Sequence, residues 1–276
     1  METVKEKGFM NKKTFTVHAN GMDFYCEMMG QGPTVVLVPP GSNDCGEYEH
    51  MMEYLADEFT VLTFDPRGGS RSPDPHPRPV TPELFSDDIA ALVQAIPLEQ
   101  PISAFGVSSG GQAVLALAKF HPDITRNGVV HEAALQADTP IKNAGFEYFK
   151  RISTFSPKIA DSSTILSITM LGTVAFTEDA ARRARIAQNG AYWAQYYLGA
   201  VDGGQYFEED FAHMAPVDFT IGTWTPSWLT AANQATAARG NRPITWINSA
   251  HAPHVTMTKE MADIVRAKVK QYLRPL

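Results

Sequence analysis

The residues best suited to chemistry form the run Gly106-Val107-Ser108-Ser109-Gly110, which has the spacing G-x-S-x-G. A strand-like segment, Ile102–Val107, leads into the serine, and a helix-like segment follows it. A serine on a sharp strand-to-helix turn holds its hydroxyl clear of the sheet, and only small neighbours fit beside such strained backbone. The spacing therefore predicts Ser108 as a nucleophile. Ser109 would take that role only in a shifted turn, which the glycine spacing disfavours.

A serine hydroxyl is a weak nucleophile at neutral pH and needs a general base. Two histidines, His251 and His254, lie in one loop after the strand-like segment Ile244–Ile247. We favour His251 as the base because it follows the strand more closely and the small Ala250 leaves it room. His254 would then lie beside the site or at its entrance, in contact with substrate. A metal site at these histidines lacks a third ligand nearby, so we expect neither a metal nor another cofactor.

The acid that would orient the histidine is missing from its frequent place in this arrangement. That place follows the strand before the last one, here Phe219–Gly222, yet no Asp or Glu occurs from there to Lys259. Glu132 instead ends an earlier strand-like segment, Asn127–His131, one helix and one strand after Ser108. This position lies at the carboxyl edge of the sheet, where ligands bind in open α/β sheets. The sequence favours Glu132 as the acid, the alternative being that it only caps the next helix.

Acyl transfer also needs two hydrogen-bond donors for the oxyanion. The backbone N–H of Ser109 is expected to supply one of them. The other is expected from the loop Pro39-Pro40-Gly41-Ser42, where glycine permits close approach, and the sequence does not choose between Gly41 and Ser42. The run from Asp65 to Ser72 contains aspartate, arginine and serine, and we interpret it as a structural network that orders the loop beside the serine.

The elements that must position these residues alternate between strand and helix patterns. Asn20-Gly21, between two β-prone runs, predicts a hairpin over Thr14–Gly30. The later alternation indicates right-handed βαβ units and a mostly parallel sheet. The strand-like segments are Val35–Val38, Val61–Phe64, Ile102–Val107, Asn127–His131, Phe219–Ile221 and Ile244–Ile247, and the helix-like segments are Glu47–Phe59, Thr81–Ile96, Gly110–His121, Ser227–Arg239 and Lys259–Leu273.

The alternation stops between Ala133 and Pro216, a stretch without a strong strand pattern and with a high density of aromatic residues. We predict a helical lid insertion over residues 133–216, carried by an α/β core made of residues 1–132 and 217–276. An aromatic lid would form an apolar pocket, although at least half of the aromatic density is attributable to the lid's own packing.

Composition excludes several other classes of protein. Hydrophobic residues make up 44% of the 276 residues and charged residues 19%, which excludes a disordered chain. The net charge of −7 argues against nucleic acid as a partner. There is no signal-peptide pattern, no apolar run that could span a membrane, and no disulfide framework in two cysteines. We therefore expect a globular cytoplasmic protein without a membrane partner, and its oligomeric state stays open, a homodimer included.

The chain resembles the α/β-hydrolase superfamily over essentially its whole length, and within it the zearalenone lactonases. The segments that carry the resemblance are Gly32-Pro33, Val35–Pro39 with Gly41, Phe64-Asp65 with Gly68 and Ser70–Ser72, Ser108–Gly110, Arg126-Asn127 with His131-Glu132, and His251 with Pro253. The resemblance implies an α/β-hydrolase fold and a Ser108–Glu132–His251 triad. It also implies that Trp193 touches the substrate lactone. Pro40 stands where the lactonases have an acidic residue, and His254 where they have an aromatic one.

These observations together predict a serine hydrolase that cleaves a small hydrophobic carboxylic ester or lactone through an acyl-enzyme. His251 would take the proton from Ser108, and Glu132 would hold the imidazole in the required tautomer. Serine at position 108 excludes relatives that use an aspartate nucleophile. An esterase or C–C bond hydrolase with another hydrophobic substrate remains an alternative, as does a ligand receptor on the same fold.

Overall fold

A computed structural model of the protein describes residues 12–135, 179–197 and 204–273. Within these residues, eight strands form one sheet in the order β1-β2-β4-β3-β5-β6-β7-β8. β2 runs antiparallel to β1 and β4, and the other neighbouring pairs are parallel, which confirms the mostly parallel sheet. The strands are β1 (Lys13–Ala19), β2 (Met22–Met29), β3 (Thr34–Val38), β4 (Thr60–Phe64), β5 (Ile102–Val107), β6 (Thr125–His131), β7 (Val217–Gly222) and β8 (Ile244–Ile247).

Helices cover both faces of this sheet. In chain order they are α1 (Glu49–Leu55), α2 (Pro82–Ala95), α3 (Ser109–Phe120), α4 (Ala180–Tyr192), α5 (Glu208–His213), α6 (Ser227–Arg239), α7 (Pro253–Thr256) and α8 (Thr258–Leu273). Successive side chains of a strand point to opposite faces. Val36 of β3 packs in the apolar cluster that contains residues of α2 and α3, whereas Val35 packs in the cluster that contains residues of α1 and α8. Burial on both faces explains the uninterrupted apolar sequence of β3.

The N-terminal hairpin forms as the sequence predicts. Ala19 pairs with Met22, so the connection is the two-residue turn Asn20-Gly21. Both turn residues have positive φ, 43° and 78°, which is the requirement of a type I′ turn and the reason this residue pair favours it. The hairpin forms one end of the sheet, and β4 and β3 separate it from β5.

The predicted lid insertion is described only in part. Residues 133–135, 179–197 and 204–216 contain α4, a π-helical turn over Trp193–Tyr197 and α5, and no strand occurs among them. The rest of the predicted insertion lies outside the described residues, so its boundaries stay a prediction. We call residues 179–197 the cap segment. In the parts of the chain that the structure describes, no helix is both long enough and apolar enough to cross a bilayer.

Candidate active site

Ser108 stands between the end of β5 and the start of α3, on the strand-to-helix turn that the sequence predicts. Its φ of 56° lies in the left-handed region, which a non-glycine residue rarely adopts. The flanking glycines are required because a Cβ at Gly106 would lie 2.3 Å from the carbonyl oxygen of Gly110. A Cβ at Gly110 would likewise lie 2.2 Å from the carbonyl oxygen of Val38. The fold thus holds Ser108 in a strained turn, a feature that is concentrated at functional sites.

Glu132 and His251 form a buried pair at the same edge of the sheet. Glu132 follows β6 directly, and His251 lies in the loop after β8. The Oε2 atom of Glu132 lies 2.5 Å from Nδ1 of His251, and the Oε1 atom accepts a hydrogen bond of 2.6 Å from the backbone N–H of Gly222. The side chains of the pair are 0% and 1% exposed, respectively. Both carboxylate oxygens are therefore engaged, which fixes the orientation of the group.

The charge state of the pair determines which imidazole nitrogen can act as a base. Burial alone would raise the pKa of Glu132, but the hydrogen bond and charge of His251 outweigh it, so the pKa of this carboxyl is lowered. A carboxylate can only accept, so Nδ1 of His251 carries the proton and Nε2 keeps a lone pair. Nε2 is buried and has no hydrogen-bond partner within the described ranges. The imidazole therefore has one nitrogen oriented by Glu132 and one available to accept a proton.

Backbone hydrogen bonds connect the serine turn to the strand that carries Glu132. The N–H of Ser108 donates to the carbonyl of His131 at 3.0 Å, and the carbonyl of Ser108 accepts from the N–H of Ala134 at 2.9 Å. Glu132 itself adopts positive φ, 47°, between these two contacts. Because β5, β6, β7 and β8 are parallel, their carboxyl ends bring Ser108, Glu132 and His251 to one edge of the sheet.

A third histidine, to which the sequence analysis assigned no catalytic role, lies next to the pair. His131 is 0% exposed, its ring centroid lies 6.3 Å from that of His251, and its Nε2 lies 3.6 Å from Oε1 of Glu132. Its Nδ1 lies 2.9 Å from the hydroxyl of Thr220. Burial lowers the pKa of His131 to about 3, so this imidazole is neutral near pH 7. Glu132 therefore forms no ion pair with His131 near pH 7, although the two side chains lie 3.6 Å apart.

His131, Glu132 and His251 are also the one group of potential metal ligands found close together in the described part of the chain. The separation of 2.5 Å between Nδ1 and Oε2 is that of a hydrogen bond. It is shorter than the separation of two ligand atoms that each lie about 2 Å from a tetrahedral zinc ion. The arrangement fits a proton between these two atoms and does not fit a metal ion.

The two segments predicted to donate to an oxyanion lie against each other. The loop after β3, which we call the β3 loop (residues 39–44), contains Gly41 and Ser42. Its Pro39 carbonyl lies 2.6 Å from the position of a Cβ on Gly110, in the first turn of α3. Ser109 is the first residue of α3, where backbone N–H groups have no acceptor within the helix and attract negative charge.

The side chain of Trp193, a residue of the cap segment, packs against the β3 loop. A Cβ at Gly41 would lie 2.9 Å from the indole Nε1 of Trp193, so glycine is needed for this contact. The Nε1 atom is buried, and none of the described residues accepts a hydrogen bond from it. The predicted contact of this tryptophan with substrate stays a prediction, and its position beside the loop with a free donor is compatible with it.

His254 is buried in the short helix α7, three residues after His251. Its Nε2 lies 3.2 Å from Oε2 of Glu47, and its ring centroid lies 5.3 Å from that of Tyr48. Both partners belong to the 3₁₀ turn Cys45–Tyr48 that follows the β3 loop. His254 thus connects the segment after β8, which contains His251, to that turn. Its predicted contact with substrate stays a prediction.

The loop after β4, which we call the β4 loop (residues 65–74), forms the predicted aspartate, arginine and serine network. Asp65 accepts two hydrogen bonds from the guanidinium of Arg71, at 2.6 and 2.9 Å. It also accepts from the backbone N–H of Cys45 at 2.8 Å, and Ser70 donates to Asp44 at 2.7 Å. The network joins the β4 loop to the β3 loop, which confirms the structural role expected from the sequence.

Comparison with known proteins places the whole arrangement in context. Residues 33–271 match the family model described as alpha/beta hydrolase fold. A zearalenone hydrolase from Cladophialophora bantiana is 29% identical over 258 residues, which cover 92% of this chain and 95% of that protein. One from Bionectria ochroleuca is 27% identical over 265 residues, with 92% and 96% covered. A thermophilic esterase from Thermogutta terrifontis has the same fold, with a TM-score of 0.73 at 19% identity, 94% of this chain and 99% of that chain being covered.

Proposed function

Because the chain belongs to the alpha/beta-hydrolase fold family, we propose that it is a serine hydrolase that opens a hydrophobic lactone such as zearalenone. Ser108 is the nucleophile, His251 the general base and Glu132 the acid that orients it. The observation that carries the proposal is the buried 2.5 Å contact between Glu132 and His251 at the sheet edge that also holds the strained serine turn. The similarity to two zearalenone hydrolases over more than nine-tenths of the chain supports the lactone as substrate.

The first step forms an acyl-enzyme. The Oγ of Ser108 attacks the carbonyl carbon of the lactone while Nε2 of His251 accepts its proton. The electron pair of the carbonyl moves to oxygen, and the resulting oxyanion accepts from the N–H of Ser109 and from that of Gly41 or Ser42. The ring C–O bond then breaks, and Nε2 returns the proton to the leaving alkoxide. In a lactone this hydroxyl stays tethered to the acyl group.

The second step releases the product. Nε2 of His251 accepts a proton from water as the water oxygen attacks the acyl carbon, and the C–O bond to Ser108 breaks as its Oγ regains a proton. The product is a single ring-opened hydroxy acid, and the enzyme returns to its starting protonation. Glu132 contributes in both steps because its charge stabilises the imidazolium and its hydrogen bond keeps the proton on Nδ1.

The position of Trp193 supports an apolar substrate that is larger than a simple ester. Its ring covers Gly41 of the β3 loop, and its buried indole N–H has no acceptor among the residues that the structure describes. An oxygen of a bound lactone would accept a hydrogen bond from this donor. The same ring supplies apolar contact area, as expected of a pocket for a hydrophobic ligand.

The proposal is tested by incubating the purified protein with zearalenone, small lactones and p-nitrophenyl esters, and following substrate loss by mass spectrometry. We expect ring opening of zearalenone by the wild type and none by Ser108→Ala. Ser86→Ala is the matched control, because Ser86 lies on α2 and its hydroxyl donates to the carbonyl of Glu83, one helical turn earlier. Turnover of simple esters alone would refute the lactone substrate. No turnover of any compound would overturn the proposal and favour a ligand receptor.

A further inference from the structure

The side chain of Asn189 joins the cap segment to both loops beside the serine turn. Asn189 lies on α4 and is 4% exposed. Its Nδ2 donates to the carbonyls of Ser42 and Asn43 at 2.7 and 3.2 Å and lies 2.8 Å from Oγ of Ser70. Its Oδ1 accepts from the backbone N–H of Ser70 at 2.7 Å. Every hydrogen-bonding atom of this amide is therefore used on the β3 and β4 loops.

Asn189 forms hydrogen bonds with the part of the β3 loop that contains the candidate oxyanion donors. Asn43 donates its N–H to the carbonyl of Pro40 at 3.0 Å, so residues 40–43 form a β-turn. Gly41 and Ser42 are its two central residues, and their N–H groups take no part in the hydrogen bond that closes it. Asn43 has a φ of 52°, a conformation that surrounding structure must maintain. Because each peptide unit is planar, holding the carbonyl of Ser42 fixes the N–H of Asn43. That N–H in turn holds the carbonyl of Pro40, whose peptide plane carries the N–H of Gly41.

Asn189 belongs to a row of residues spaced four apart along the cap segment. Arg185 donates its Nε to Oδ2 of Asp44 at 2.8 Å, Asn189 bonds to the carbonyls before Asp44, and Trp193 covers Gly41. Residues four apart lie on one face of a helix. Later residues of this row therefore contact earlier residues of the β3 loop, so the cap segment and the loop run antiparallel along their contact.

The anchor at Asp44 is ionic and buried. Burial alone would raise the pKa of Asp44, but hydrogen bonds from Arg185 and Ser70 outweigh this and lower the pKa of the carboxyl. The Asp44 side chain is fully buried, and that of Arg185 is about one-quarter exposed. The ion pair between Arg185 and Asp44 thus fixes this face of α4 one turn before Asn189. It therefore helps to hold the Asn189 side chain against the β3 loop.

We propose that Asn189 is a positioning residue that sets the oxyanion donors, so that seating of the cap segment on the β3 loop controls the rate of the chemical step. This inference rests on the proposed function, since it assigns the donors of that reaction to the turn over residues 40–43. Asn189 touches no reacting atom and acts through the backbone of Ser42 and Asn43. The cap segment would then contribute to catalysis itself as well as to substrate binding.

Asn189→Ala is expected to change kcat more than KM. Loss of one oxyanion donor costs about 10²–10³ in kcat, so loosening a donor that stays present is expected to lower kcat about 10- to 100-fold with KM changed less than about threefold. Asn189→Asp is the second variant, because its carboxylate can still accept from Ser70 but cannot donate to Ser42 or Asn43. We expect kcat of Asn189→Asp to fall as in the alanine variant.

The matched control is Tyr192→Phe. The Tyr192 hydroxyl donates to Asp74 at 2.6 Å and so fastens the same helix to the β4 loop, at a residue other than those that Asn189 bonds. Steady-state kinetics on p-nitrophenyl acetate, and the inhibition constant of a trifluoromethyl ketone, report the oxyanion donors with little demand on the cap as a substrate pocket. Loss of kcat and of ketone affinity in both Asn189 variants, with Tyr192→Phe near wild type, supports the proposal.

Other outcomes overturn it in distinguishable ways. A rise in KM alone, or equal effects of Asn189→Ala and Tyr192→Phe, would make Asn189 an anchor of the cap segment without influence on the oxyanion. An active wild type that loses activity in Ser108→Ala but keeps it in both Asn189 variants would refute the positioning role and leave the proposed function intact. Failure of the wild type to cleave any ester would refute both.

Discussion

Replacement of Glu132 by glutamine tests the proposed role of Glu132 in orienting His251 as a base. Oε1 of Glu132 accepts from the N–H of Gly222, so a glutamine places its carbonyl there and its NH₂ group toward Nδ1 of His251. An NH₂ group can only donate, and Nδ1 must then release its proton and leave it on Nε2. Rotating the amide by 180° relieves Nδ1 but sets two donors against each other at Gly222. Either arrangement disfavours the tautomer that can deprotonate Ser108.

The magnitude follows from two contributions. Restoring the required tautomer leaves a buried donor unsatisfied, at a cost of about 1–3 kcal/mol. Losing the charge-assisted hydrogen bond to the imidazolium in a site this buried costs about 1.5–3 kcal/mol more. The sum of about 2.5–6 kcal/mol corresponds to a fall in kcat of about 60-fold to about 2 × 10⁴-fold, since about 1.4 kcal/mol is a factor of ten.

The assay compares initial rates of lactone hydrolysis by the wild type and Glu132→Gln at equal concentration, with thermal unfolding as the check on folding. Asp218→Asn is the matched control, because Asp218 is a buried carboxylate of β7 that pairs with Lys268 at 2.7 Å, outside the site. The control is expected to lose stability but not kcat. Activity of Glu132→Gln within about tenfold of wild type would refute the orienting role, since that corresponds to less than about 1.4 kcal/mol.

Two further expectations concern stability. Unfolding raises the pKa of His131 from about 3 to about 6.5, so the unfolded chain binds more protons than the folded chain between these pH values. The free energy of unfolding therefore falls as the pH drops from about 6.5 toward 3, by at most about 1.4 kcal/mol per pH unit. Denaturant unfolding between pH 6.5 and 4 is expected to show a shallower dependence in His131→Gln, and parallel curves would contradict this. Gly106→Ala places a Cβ 2.3 Å from the Gly110 carbonyl, and we expect a loss of about 2 kcal/mol or more in a urea titration, an unchanged midpoint being the contrary result.

Local signals were sufficient for most of the fold. The pair Asn20-Gly21 specifies its own turn, and short apolar runs mark strands that are covered on both faces. The helix predicted over Glu47–Phe59 was only partly right, because the segment begins with the 3₁₀ turn Cys45–Tyr48 and α1 ends at Leu55. Asp44 caps that turn by accepting from the N–H of Gly46, an arrangement that depends on the neighbouring loop and has no helical periodicity.

Some features of the candidate site could be predicted from local sequence, whereas others depend on contacts between residues far apart in the chain. The contact between Glu132 and His251 was predictable, because no Asp or Glu occurs between β7 and Lys259 and parallel strands bring their carboxyl ends together. Asn189 was not predictable, since its main partner Ser42 lies 147 residues away in the sequence and no pattern around it differs from an ordinary helix. The neutral state of His131 likewise follows from burial, which becomes known only once the sheet is assembled.

Covalent labelling tests the central claim most directly. The purified protein is treated with a fluorophosphonate probe, and the modified peptide is located by mass spectrometry, with and without zearalenone present. We expect one adduct, on Ser108, that forms in Ser86→Ala, is absent from Ser108→Ala and forms more slowly when zearalenone competes. An adduct on another residue, or hydrolysis of zearalenone that continues in Ser108→Ala, would contradict the assignment of Ser108 as the nucleophile.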